Sequence, residues 1–217
     1  MSAKPITYQQ ARNQIQSGDV VAFGGQSHFS QLVKLATLSN VSHVGVILQT
    51  QIADDNAHRG CNQIIESTRG KGVEVSRFSD RLQNHVGELW WLPLGQHIRQ
   101  QAFNATKFFD FLFAQAKARK PYDMPQAVMS AVDVLDNLPW DKTGPSYNQE
   151  DFSRFFCSEL VSAGLEQAGA VGNVNASEVT PIDLCRWHIY ADHYYQLKGD
   201  ASKCISRFNT ANPTDWI

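Results

Sequence analysis

The sequence predicts an α+β fold: a mainly antiparallel sheet packed against helices. Short apolar, β-branched runs bounded by turn residues recur between positions 19 and 94. A stretch free of Gly and Pro, 103–119, carries apolar side chains at helical spacing. The overall order is helix, then strands, then helices, which is the pattern of a sheet with helices segregated beside it.

Each element has its own local reason. Thr7 can cap a first helix, with Gln10 three residues on as its capping-box partner; Ala11 and Ile15 share a face, and Gly18 suits the end. Asp19-Val20-Val21-Ala22-Phe23-Gly24-Gly25 reads as a buried strand running into a turn. Residues 30–39 look helical, with Leu32, Leu35 and Ala36 at helical spacing. Residues 43–48, 63–67 and 72–75 read as three further strands, the last alternating cleanly, and 88–94 as a fifth, stopped near Pro93. In the 103–119 helix, Phe108, Phe109, Leu112, Phe113 and Ala116 form one stripe, expected to face the core. Residues 121–150, with Pro121, Pro125, Pro139, Gly144 and Pro145, read as a loop-rich insertion with a short helix near 126–137. A last clear helix spans 155–168 and ends at Gly169. Thr180-Pro181 opens a short helix, and an aromatic tail runs from Trp187 to Trp216. No repeat or linker divides the chain, so residues 1–217 are expected to form a single domain.

The composition narrows the function classes. A net charge of −2 over 217 residues, with no long basic run, gives no reason to expect a nucleic-acid partner. The N-terminal residues lack the apolar run of a signal peptide, and no stretch approaches the roughly 20 apolar residues that span a bilayer, so no transmembrane segment and a cytoplasmic location are expected. The four cysteines, Cys61, Cys157, Cys185 and Cys204, form no CxxC pair, and no histidine has an HExxH partner, so no zinc site is expected.

Three residues stand out chemically. Cys157 falls at the start of its helix, where the positive end of the helix dipole and free N–H groups favour a thiolate and suit an oxyanion hole. His43 opens a strand; beside Cys157 it would accept the thiol proton and return it to a leaving group. Glu66 sits in an apolar strand, where a carboxylate needs a partner, and an imidazolium is a fitting one. If the 63–67 strand pairs with the His43 strand, Glu66 can come level with His43. Of the rival carboxylates, Asp19 reads as a loop residue after Gly18, and Glu74 as facing solvent.

Gly18-Asp19-Val20-Val21-Ala22-Phe23, then Ser42-His43-Val44-Gly45-Val46-Ile47, then Phe156-Cys157-Ser158-Glu159-Leu160-Val161, resembles the circularly permuted branch of the NlpC/P60 papain-like superfamily, and most of all its YiiX/YebB-like group. The Cys-bearing segment follows the other two here, whereas in ordinary members it precedes them. Further matching positions are Glu66, Lys120-Pro121-Tyr122-Asp123 and Thr180-Pro181, so the resemblance covers about residues 15–185. It implies a permuted papain-like fold and a Cys157–His43–Glu66 triad, with Tyr122 and Ser158 as substrate-binding or oxyanion residues. It implies amide or ester cleavage through a thioester, by hydrolysis or acyl transfer, on a small peptide, a peptidoglycan fragment or a lipid acyl substrate, with no metal or organic cofactor. A catalytically silent lipid- or peptide-binding module of the same fold is the alternative.

Overall fold

A computed structural model describes residues 3–52, 60–122, 156–199 and 203–216. Its centre is a seven-stranded sheet built from β1 (Lys4–Pro5), β2 (Val20–Gly25), β3 (His43–Ile52), β4 (Cys61–Thr68), β5 (Gly72–Arg77), β6 (Gly87–Leu92) and β7 (Tyr195–Lys198). The strand order is β1-β7-β6-β2-β3-β4-β5. Every pairing is antiparallel except β1 with β7. The five central strands are those the apolar runs predict; β1 and β7 are too short and polar to announce themselves.

Side-chain alternation divides the sheet into two apolar faces. Val20, Ala22, Val44, Val46, Leu48, Ile65 and Trp90 belong to one cluster, which also holds Phe108 and Leu112 of α5 (Ala105–Lys117) and most of α6 (Cys157–Gln167). Val21, Phe23, Ile47, Ile64 and Trp91 form the other, with Ala11 of α1 (Tyr8–Ala11) and Phe78 of α3 (Phe78–Asn84). A sheet buried on both faces explains why its strands read as nearly continuous apolar runs. Helix α6 is buried from Cys157 through Leu165. A Cβ at Gly164 would stand 2.9 Å from Leu112, so a glycine is what lets α5 and α6 approach. The expected stripe on α5 holds at Phe108 and Leu112, with Phe109 and Ala116 partly buried against the same cluster, but Phe113 is 46% exposed and stacks on Phe109.

The first helix has the predicted Thr7–Gln10 capping box but ends at Ala11, so Gly18 does not cap it. Gly18 instead makes the tight entry to β2: its φ is +87°, its N–H donates to Ile47 O at 2.8 Å, and Phe103 fills the space a Cβ would need. Asp19 lies in the loop before β2, as expected, but not in solvent. It is buried and accepts hydrogen bonds from Gln16 N–H (2.8 Å), the Trp91 indole (2.8 Å), Leu94 N–H (2.9 Å) and the Arg99 guanidinium. Arg99 comes from α4 (Gln96–Gln101), a helix without a side-chain cap. Helix α2 (His28–Ala36) starts earlier than predicted, at the Ser27 cap. Thr180 caps α7 (Pro181–Arg186) with Asp183 as its partner.

The aromatic tail is structural. Trp187, Tyr190, Tyr194 and Phe208 are buried, Tyr194 and Phe208 lie 4.3 Å apart, and β7 extends the sheet beyond β6. Most of the expected 121–150 insertion, with its short helix, lies outside the described residues. Among the described residues no helix is long and apolar enough to cross a membrane.

Candidate active site

The ladder between β3 and β4 pairs Val46 with Ile65 and Ile47 with Ile64. Carried one residue further, that register sets Glu66 across from Gly45, and His43 one diagonal step away on the same face. The two side chains therefore meet obliquely rather than level, as the sequence alone suggested. Gly45 makes the approach possible: a Cβ there would stand 3.2 Å from the Glu66 Cβ and 2.9 Å from the Ile64 Cδ1.

The result is a tight contact. His43 Nε2 donates to Glu66 Oε2 at 2.6 Å. Glu66 is 1% exposed, and its other oxygen accepts from Arg81 Nε at 2.7 Å. The Arg81 guanidinium in turn lies 4.3 Å from the centre of the Phe23 ring. Burial works to raise the Glu66 carboxyl; the hydrogen bond and charge of His43, then those of Arg81, outweigh it and hold the group ionised below its ordinary range.

The other group that acts on the His43 ring is the Cys157 thiol. An imidazole has two nitrogens, and Nε2 is taken by Glu66, so Nδ1 is the one left for the sulfur. Burial pushes the ring toward neutrality. The negative charge of Cys157, the hydrogen bond to it and Glu66 overcome that and raise the imidazole to about 9. Cys157 is the first residue of α6, and the first intrahelical bond runs from Leu160 N–H to Phe156 O. The amides of Cys157 and Ser158 thus precede the helical ladder, with the positive helix end behind them. Glu159 accepts the Phe156 N–H at 3.0 Å and fixes the turn on which Cys157 sits.

The other two expected site residues are placed differently. Tyr122 lines a cleft with His43 and packs edge-on against Phe156, ring centres 5.8 Å apart. Ser158 is fully buried, and its hydroxyl donates to Val179 O at 2.5 Å. Its side chain is committed to joining α6 to the segment before α7, so only its backbone amide remains for a substrate.

The cleft encloses about 330 Å³ and is lined by His43, Phe23, Arg69, Arg81, His85 and Tyr122 among others. Cys157 is 1% exposed and is not among the residues that line the cleft. His85 is held neutral: burial, then the charge of Arg81, lowers it to about 4, and its Nε2–H donates to Glu88 O at 2.9 Å. Arg81 escaped the sequence reading. The available signal was Glu66 itself, since a buried carboxylate has two oxygens to satisfy and one histidine serves one of them.

No family model matches the chain, and no curated protein matches it. Among solved structures it is similar to the crystal structure of the metalloprotein yiiX from Escherichia coli O157:H7, with 17% identity, 71% of this chain and 67% of that one covered, and a TM-score of 0.39. Among the described residues here, no group of three or more His, Cys, Asp or Glu side chains is placed to hold a metal ion.

Proposed function

We propose that the chain is a cysteine-dependent hydrolase or acyltransferase of permuted papain-like fold, cleaving an amide or ester bond through a thioester on Cys157. The observation that carries this reading is the His43 ring, set between the Cys157 thiol and a buried, ionised Glu66. The chain order of the three motifs, with the Cys helix last, supports the permuted form.

In this mechanism His43 holds the proton that leaves the Cys157 sulfur, and the thiolate attacks the substrate carbonyl. The oxyanion that forms draws on the amides of Cys157 and Ser158, and the Tyr122 phenol stands across the cleft as a further donor. His43 then protonates the leaving amine or alcohol as the carbon–heteroatom bond breaks. It next takes a proton from the incoming water or acceptor hydroxyl, which attacks the thioester and frees the sulfur. Glu66 keeps Nε2 protonated throughout and stabilises the imidazolium. Arg81 acts through Glu66 as a positioning residue. Small peptides and lipid acyl groups are the candidate substrates. With four free thiols, a reducing, cytoplasmic setting fits the chain.

The test is intact-mass spectrometry after exposure to a cysteine-directed acyl probe. A single acyl adduct on Cys157, absent in Cys157→Ala and turned over by wild type, is the expected result. An adduct that survives Cys157→Ala overturns the assignment. An adduct on Cys157 that never turns over favours the silent binding module. Tyr122→Phe with unchanged turnover leaves Tyr122 a packing residue.

A further inference from the structure

The cleft in front of His43 carries an electrostatic signature that the acyl-transfer chemistry does not require. Two arginines line it, Arg69 and Arg81, and no Asp or Glu stands among its described lining residues. Arg81 spends only its Nε–H on Glu66; among the described residues nothing accepts from its terminal nitrogens. Arg69 is exposed at the end of β4, with its guanidinium 5.8 Å from the centre of the Phe29 ring and no ion pair among the described residues. His85, the remaining titratable group on this wall, is neutral. Two guanidinium groups therefore face the cleft with no carboxylate on its described lining, in a chain whose net charge is −2.

Resting on the reading of Cys157 as a nucleophile, we infer that the cleft takes an acyl substrate bearing a carboxylate close to the scissile bond, with Arg69 and the free edge of Arg81 as its anchor. A guanidinium edge offers two coplanar N–H donors, which match the two oxygens of a carboxylate. The Arg81 and Arg69 guanidinium carbons lie 4.3 Å and 5.8 Å from the centres of the Phe23 and Phe29 rings, within cation–π reach. A neutral ester or a simple fatty amide would leave these donors without a partner.

Two alkylating reagents of nearly equal size isolate the carboxylate: iodoacetate and iodoacetamide. Their rate constants on Cys157, followed by peptide mass spectrometry, are compared as a ratio with the same ratio for free cysteine. The ratio on the protein is expected to exceed that on free cysteine by roughly tenfold, the low end of what a cleft of one charge sign contributes to association. Arg69→Gln should lower the ratio several-fold and leave the iodoacetamide rate unchanged, and added sodium chloride should do the same. Arg69 is exposed and unpaired, so its replacement does not threaten the fold. A ratio no higher than that of free cysteine, insensitive to Arg69→Gln, overturns the carboxylate inference while the nucleophile assignment stands. If Cys157 is inert to both reagents, the nucleophile assignment fails and the inference falls with it.

Discussion

Two carboxylates, Asp19 and Glu66, are each about 1% exposed in the same sheet, and they do opposite things. Asp19 is ringed by four donors on three sides, two of them backbone amides, and is fixed at the entry to β2. Burial dominates there and raises its carboxyl despite Arg99. Glu66 has two partners, both capable of carrying full positive charge, and its carboxyl is lowered. Burial alone therefore says little about chemistry. What separates the structural carboxylate from the positioning one is whether its partner is itself a group that must change protonation during a reaction. Asp19 ties down groups that never titrate, and in the proposed mechanism Glu66 governs one that does.

The contrast is sharpest under substitution. Asp19→Ala leaves the Arg99 guanidinium, the Trp91 indole and two amides without their acceptor; breaking such a buried pair costs about 3–5 kcal/mol. Urea unfolding should record that loss, while the alkylation rate of Cys157 in the folded protein stays at the wild-type value. Glu66→Gln should do the reverse. It keeps the shape and removes the charge behind His43, so alkylation at neutral pH and turnover should fall about 10²-fold, at the lower end of general-base effects. Its profile should move to higher pH, and the far-ultraviolet circular dichroism should be unchanged. If Asp19→Ala instead slows Cys157 as much as Glu66→Gln does, the division between the two carboxylates collapses.

Gly45→Ala sharpens the comparison at smaller amplitude. The added methyl meets Ile64 at 2.9 Å and the Glu66 Cβ at 3.2 Å, an overpacking that costs about 1–3 kcal/mol. Because it pushes on Glu66, part of the effect should appear as slower alkylation, which a purely structural glycine would not give.

The smallest expected effect is in pH dependence. His43 is raised in the folded state from 6.5 to about 9, so its contribution to stability is complete below pH 6.5 and is lost as pH rises through about 9. Glu66, lowered, contributes above its ordinary 4.5 and loses that contribution as pH falls through its depressed value. Asp19, raised, favours the fold in its protonated form, and that contribution fades as pH climbs past 3.8. The thermal midpoint should therefore decline between pH 6.5 and 9. The slope should flatten in Cys157→Ala, which removes the charge that does most to hold the proton on His43.

Much of this arrangement is legible in the sequence, and the gaps have physical causes. The five central strands read clearly because a sheet covered on both faces needs apolar residues on both. Cys157, His43 and Glu66 could each be singled out because their chemistry conflicts with an apolar strand or gains from a helix start. Their mutual placement was half legible: the shared face follows from strand period, whereas the diagonal offset depends on a register that only the assembled β3–β4 ladder fixes. Arg81 was hidden because α3 follows β5 without a break at Arg77–Phe78 and has no side-chain cap. Asp19 is the loop residue the sequence suggests, but its burial was not legible because three of its four donors, Trp91, Leu94 and Arg99, lie more than 70 positions along the chain. Ser158 was placed correctly on its helix, but the capture of its hydroxyl by Val179 depends on a segment 21 residues later.

The central claim is that Cys157, alone among four thiols, is poised by a charged imidazole. Competitive alkylation of the native protein with limiting iodoacetamide at pH 6 to 7, mapped by peptide mass spectrometry, tests it most directly. Cys157 should label first although it is buried, ahead of the exposed Cys204 and the half-buried Cys61, with Cys185, its thiol raised chiefly by burial, last. Labelling of Cys204 or Cys61 first, with Cys157 inert in the folded protein, would contradict the account.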